Sequence, residues 1–212
     1  MDNRLAQQSC EEFTGQLASK APVPGGGGAA ALMGALSAAL CEMAGNLTAG
    51  KKKYAAREED LRRMLADAEA LRLRFLALID ADAAAFELLA RAYAMPKDSP
   101  DYAAVMARVT LDACRAPLEM MQCCCRGIEL LEEMRGSCSV LMISDVGCGA
   151  AAARAALEAA FLNVLINTRS LPGNREALLL EQRAEQLLNQ YGPRAQNITA
   201  SVVEALRGKN NG

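Results

Sequence analysis

Between Leu61 and Tyr93 the chain repeats one pattern: Leu61, Leu65, Ala68, Arg72, Phe75, Ile79, Asp82, Phe86, Leu89 and Tyr93 follow in steps that alternate four and three. That spacing returns to one face of an α-helix and predicts a helix from about Ala56 to Tyr93 with a continuous buried seam. Helical patterning also covers, approximately, Asn3–Ala18, Gly28–Thr48, Pro100–Met134, Ser144–Ser170 and Arg175–Leu206. Nothing reads convincingly as a strand, and alanine and leucine dominate over β-branched residues. The expectation is an all-α six-helix bundle with long helices, one helical domain over residues 1–212.

Punctuation fits that division. "MPKDSP" stops the third helix. Pro117, inside the fourth, lacks the amide that would bond the Ala113 carbonyl, so a kink or break is expected there. Ser144 reads as the cap of the fifth helix with Asp145 in its first turn, and Asn174 as the cap of the sixth. "GKNNG" reads as a frayed end. A helix of about 35 residues spans about 50 Å, longer than a compact monomer of this size needs. The second helix is also apolar nearly all round. Both features predict burial against a second subunit, most simply in a two-fold dimer.

Two seam positions of the third helix are charged. Arg72 and Asp82 stand ten residues apart, about 15 Å, too far to pair with each other. Asp82 lies between Ile79 and Phe86 along the seam, where a carboxylate is costly unless paired or functional. It is either a structural ion-pair partner or register-setting residue, or a catalytic carboxylate with a raised pKa. Asp80 lies on another face and reads as solvated or supporting. On the fifth helix Asp145, Gly149, Ala152, Ala156, Ala160, Asn163 and Asn167 share a face that is small in the middle and polar at both ends. It suits close helix packing, or a cleft for a flat ligand whose edges the two asparagine amides bind.

Gly25, Gly26, Gly27 and Gly28 precede a helix start, where amides point outward and the dipole is positive. No lysine follows at the spacing of a nucleotide-binding loop, and no strand precedes. The turn either holds a carboxylate or polar ring edge, or is only flexible. Lys51, Lys52 and Lys53 at the far end of the same helix form either a solvated face or a site for an anion.

Composition narrows the chemistry. The 212 residues carry a net charge of -2, 4% aromatics and no tryptophan, which argues against a general nucleic-acid binder. The polar start "MDNRLAQQSCEEF" reads as no export signal, and the apolar run Ala29–Cys41 is shorter than a bilayer span. A cytoplasmic protein is expected, with its eight cysteines reduced and mostly in the core. Cys123, Cys124 and Cys125 point around a helix at about 100° steps and do not converge on a metal; no metal site is expected. Histidine is absent, which excludes Ser-His-Asp and Cys-His catalysis and leaves Asp, Glu, Lys, Tyr, Cys or substrate groups for acid–base work.

"PVPGGGGAAALMGALSAALCEMAGNLTAGKKKY", "LIDADAAAFELLARAYAMPKD" and "ISDVGCGAAAARAALEAAFLNVLIN" together resemble the cyclodeaminase/cyclohydrolase family of folate one-carbon enzymes, in order and over essentially the whole chain. The resemblance implies an all-helical homodimer acting on a tetrahydrofolate derivative, polyglutamylated in some cases, with no cofactor beyond that substrate. It implies formimidoyltetrahydrofolate cyclodeaminase activity first and methenyltetrahydrofolate cyclohydrolase activity as the alternative. It makes Asp82 the first choice for acid–base work. Asp145 becomes the second catalytic candidate and, with Asn163 and Asn167, a lining group; Gly25–Gly27 become the pocket border, and Asn46 with Lys51–Lys53 the contacts for the substrate's polar or glutamate end. One departure is Gly28, which stands where many relatives have serine. The readings outside this family are a non-enzymatic helical interaction module with a lysine patch, and a redox or metal protein built on the cysteines.

Overall fold

The computed structural model describes residues 4–208. Asn3, the expected start of the first helix, and the tail 209–212 lie outside them. The described residues form α1 (Cys10–Leu17), α2 (Gly26–Asn46), α3 (Glu58–Tyr93), α4 (Tyr102–Ala113), α5 (Arg115–Ser137), α6 (Ile143–Thr168) and α7 (Arg175–Arg207). Short 3₁₀ turns precede α1, α3 and α6, and no strand occurs among the described residues.

Local chemistry explains where the elements begin and end. α1 starts at Cys10 because Ser9 and Glu12 close a reciprocal capping box: the Glu12 amide donates to Ser9 Oγ at 3.2 Å and the Ser9 amide to Glu12 Oε2 at 2.8 Å. The break expected near Pro117 is complete. α4 ends at Ala113, and α5 restarts after Cys114. Asn174 caps α7 as expected, accepting from the Glu176 and Ala177 amides at 2.9 and 3.0 Å. Ser144 does not cap α6. The 3₁₀ turn Val140–Met142 has already wound the chain, so α6 starts at Ile143 and Ser144 falls inside it.

α2 and α6 form the centre and run antiparallel: Gly26 lies beside Asn163, while Gly149 lies beside Ser37. α3 and α5 pack against α2, and α7 closes over α6. Close approach relies on missing side chains. A Cβ at Gly34 would overlap the Phe75 ring, and one at Gly149 would come within 2.9 Å of Leu131. α2 and the stretch Val140–Thr168 each have the length and hydropathy of a membrane span. Packing against neighbouring helices accounts for part of that apolarity, while Leu36 and Met43 on α2 and Leu162 and Ile166 on α6 stay exposed. α2 also carries Glu42, half-buried in an ion pair with Arg72 (2.6 Å). That pair explains one of the two charges in the α3 seam.

Six cysteines are buried, with only Cys10 and Cys148 exposed. Burial pushes the Cys41 thiol up to about 12 and Cys123 to about 11, which suppresses the reactive thiolate. Around the far end of α3, Leu89 and Ala92 pack on Val109 and Ala113 of α4 in a small cluster separate from the main core. The site lies between the two.

Candidate active site

A cavity of about 240 Å³ is lined by Pro22, Val23 and Gly25–Gly27 from the glycine turn, by Asp82, Phe86, Leu89 and Tyr93 from α3, and by Asn163, Ile166 and Asn167 from α6. Ala113, at the end of α4, completes the wall. The seam places Asp82, Phe86, Leu89 and Tyr93 on one face of α3, and the turn before α2 brings backbone instead of side chains against it. Gly27 is required there, because a Cβ at that position would overlap the Asp82 carboxylate.

Asp82 differs from the other charge in its seam. Arg72 has Glu42; Asp82 has no ion-pair partner among the described residues, and the cavity lining contains no lysine or arginine. Burial pushes its pKa up to about 6, with the Gly28 backbone amide pulling in the opposite direction. Near neutrality such a carboxyl group exchanges a proton readily in either direction. Asp80, two residues away, accepts from Arg4 Nε at 3.1 Å and the Leu5 amide at 2.9 Å. It anchors the N-terminal segment and faces away from the cavity.

The small-and-polar face of α6 is packed in its middle and opens on a cavity at one end. In its middle Gly149, Ala156 and Ala160 are packed. At its C-terminal end Asn163 and Asn167, one turn apart, open into the cavity. Gly25, Gly26, Gly27, Asp82, Asn163 and Asn167 therefore come together.

The remaining expected residues do not join them within one chain. Asp145 is 18 residues before Asn163 on α6, about 27 Å along the axis. Asn46 is 20 residues after Gly26 on α2, about 30 Å, and Lys51–Lys53 lie beyond it in the exposed turn before α3. All of these stand at the opposite end of the bundle. A shared helical face fixes direction but not distance along the axis, and the expectation of one cleft did not separate the two. Thr48, in the same motif, is structural: its hydroxyl donates to the Ala44 carbonyl at 2.7 Å and accepts from the Ser139 amide at 2.8 Å.

Phe86, Leu89, Tyr93 and Ile166 were not expected at the site. Three of them were visible as members of the α3 seam. Only their continuation past the end of the main core, where the seam runs out over the cavity, marks them as cavity-facing. A larger hollow of about 430 Å³ between α6 and α7 is shallower. Its charged groups, Arg154 and Glu158, pair with each other at 2.8 Å, so it presents no unmatched charge. Among the described residues no group of three His, Cys, Asp or Glu side chains is arranged to hold a metal.

The sequence profile of the formiminotransferase-cyclodeaminase family matches residues 9–186. A methenyltetrahydrofolate cyclohydrolase of Methylorubrum extorquens is 37% identical over 96% of this chain and 98% of its own. A formimidoyltransferase-cyclodeaminase of Sus scrofa is 27% identical over 98% of this chain, which spans only 38% of that longer protein. The crystal structure of a formiminotetrahydrofolate cyclodeaminase from Thermotoga maritima superposes with a TM-score of 0.82, covering 95% of this chain and 97% of that one at 24% identity. It has the same fold.

Proposed function

The chain belongs to the formiminotransferase-cyclodeaminase family, and from that premise we propose that it is an enzyme of folate one-carbon chemistry, with Asp82 moving the proton. The observation that carries this reading is Asp82 itself, a carboxyl group without an ion-pair partner among the described residues, in a cavity that is lined by no cation and lies against the glycine turn. The cavity has room for a pteridine-sized ring, with the remainder of a folate extending past Phe86 and Tyr93.

The two reactions of the family meet in one cation, the amidinium carbon between N5 and N10. In hydrolysis of 5,10-methenyltetrahydrofolate, the Asp82 carboxylate removes a proton from water as its oxygen bonds to that carbon. The proton then passes from Asp82 to N5 as the carbon–N5 bond breaks, the adduct's hydroxyl gives up its own proton to solvent as the formyl C=O forms, and 10-formyltetrahydrofolate leaves with the Asp82 carboxylate regenerated and one proton released overall. In the deaminating direction the formimino group enters protonated, N10 bonds to its carbon to leave an amino group there, Asp82 carries the N10 proton to that amino group, and ammonia departs as the methenyl cation forms. The negative carboxylate also stabilises the cation electrostatically in both. The 37% relative favours water as the entering group; the cyclodeaminase relatives support ammonia loss as the second reading. Absorbance of the methenyl chromophore separates them. It falls faster than its spontaneous loss under hydrolysis and rises from the formimino compound under deamination.

The working form is a homodimer in this reading. Leu36 and Met43 on α2, Leu47 at its C-cap, and Leu162 and Ile166 on α6 are exposed large apolar side chains, and this reading joins them into one stripe covered by a second copy. A two-fold axis across the middle of that stripe lays the helices of two copies antiparallel. It then brings the partner's lysine cluster toward the cavity, whose own lining holds no cation. The negatively charged glutamate end of a folate, polyglutamylated or not, supplies the matching charge.

A further inference from the structure

The amide groups of Asn163 and Asn167 are both oriented by backbone carbonyls. Asn163 Nδ2 donates to the Ala159 carbonyl at 2.8 Å, one turn back on α6. Asn167 Nδ2 donates across to the Ala113 carbonyl at 3.2 Å. A carbonyl only accepts, so the amide atom facing it must be the nitrogen, which fixes which way each side chain points. Neither Oδ1 accepts a hydrogen bond from the described residues, and neither is sealed away as a buried unsatisfied atom. Both residues line the cavity.

The partner of Asn167 has a specific origin. In a continuous helix the Ala113 carbonyl would accept from the amide of residue 117. Residue 117 is proline and has none. The break between α4 and α5 therefore leaves one carbonyl free at the cavity wall, and the Asn167 amide nitrogen takes it.

We propose that Pro117, through the freed Ala113 carbonyl, is a positioning residue that turns the Asn167 oxygen into the cavity, and that Asn163 and Asn167 together read a ring edge bearing N–H groups. Resting on the folate reading, this assigns the α6 wall to the 2-amino and N3–H edge of the reduced pterin. The glycine turn and Asp82 are left facing the part of the substrate that reacts. The two oxygens are one helical turn apart, and each accepts one N–H.

The test compares two ligands by calorimetry: 5-formyltetrahydrofolate and its 2-desamino-2-methyl counterpart, which keeps the ring shape and loses the amino donors. The wild-type protein is expected to bind the amino compound at least about 10-fold more tightly. In Asn167→Leu, and more fully in Asn163→Leu with Asn167→Leu, that ratio falls toward one, while a merely structural loss weakens both ligands equally. Pro117→Ala, which returns an amide to the Ala113 carbonyl, lowers the ratio without touching any lining side chain. Equal binding of the two ligands to the wild type, or a ratio unchanged in the double variant, overturns the assignment. A wild-type protein that binds neither ligand overturns the folate reading itself.

Discussion

Gly27 and Asp82 form a backbone-to-carboxylate contact that leaves no room for a Cβ at position 27. With the Asp82 carboxylate where it stands, only glycine fits at position 27 in the first turn of α2. The carboxyl group that the site depends on owes its place to a side chain that is absent.

Gly27→Ala should consequently displace Asp82 or push α2 away from α3. Turnover is expected to fall by about 100-fold or more, the effect of misplacing a reacting group by about 1 Å. The helical circular dichroism should change little. Gly15→Ala is the control: nothing lies within 4 Å of its Cβ position. Replacing a helical glycine there should leave turnover unchanged and raise stability by about 0.5–1 kcal/mol. Steady-state rates and thermal melts on the two variants check both statements.

Asp82 should also make the wild-type protein less stable than it need be at neutral pH. Its pKa rises from 3.8 to about 6 on folding. The folded state therefore holds the proton more tightly than the unfolded one. The folded protein loses stability as pH rises from about 4 to 6, and the deficit persists above. Converted directly, the shift is about 3 kcal/mol at most, and less after solvent screening of a half-buried group. Asp82→Asn removes the ionisation and is expected to raise the melting temperature at pH 8 but not at pH 4. Melting curves at the two pH values give the sign. A lower melting temperature at pH 8 would show that the buried charge is compensated after all. Because the carboxylate is the base, the wild-type kcat/KM should fall as pH drops through about 6.

The proposed two-chain arrangement gives a complementation test. Asp82→Asn and the triple variant Lys51→Ala, Lys52→Ala, Lys53→Ala should each bind or turn over a polyglutamylated substrate poorly, for different reasons. Mixed and re-equilibrated, they form heterodimers in which one cavity has both lesions and the other has neither. Activity of the mixture is expected to exceed the sum of the parts. Strict additivity would place the lysines outside the site. Leu36→Glu, in the middle of the exposed stripe, should yield a monomer by sedimentation and lose the same activity.

Much of this arrangement could be read from residue order. The α3 seam announced its own length, and the unpaired charge within it proved to be the one facing the cavity. Pro117 announced a break at Ala113. The capping box of Ser9 and Glu12, which starts α1 at Cys10, is also present in the spacing, although the apolar pattern runs on past it. Other features depend on how helices cross. Nothing in the spacing of α2 or α6 says that Gly26 meets Asn163 while Asn46 and Asp145 go to the other end. Likewise, the partner that Asn167 finds in the Ala113 carbonyl exists only once α4 lies against α6. Periodicity fixes faces, whereas a site also needs axial register, which tertiary packing sets.

The most direct measurement is the single-turnover rate of Asp82→Asn with 5,10-methenyltetrahydrofolate, followed by loss of the methenyl absorbance, alongside calorimetric binding of 5-formyltetrahydrofolate to the same variant. With Asp82 carrying the proton, the rate falls by about 10²–10⁴-fold while binding stays within about 10-fold of wild type. A variant that turns over within about 10-fold of wild type, with binding intact, would contradict the assignment and move the chemistry to another group.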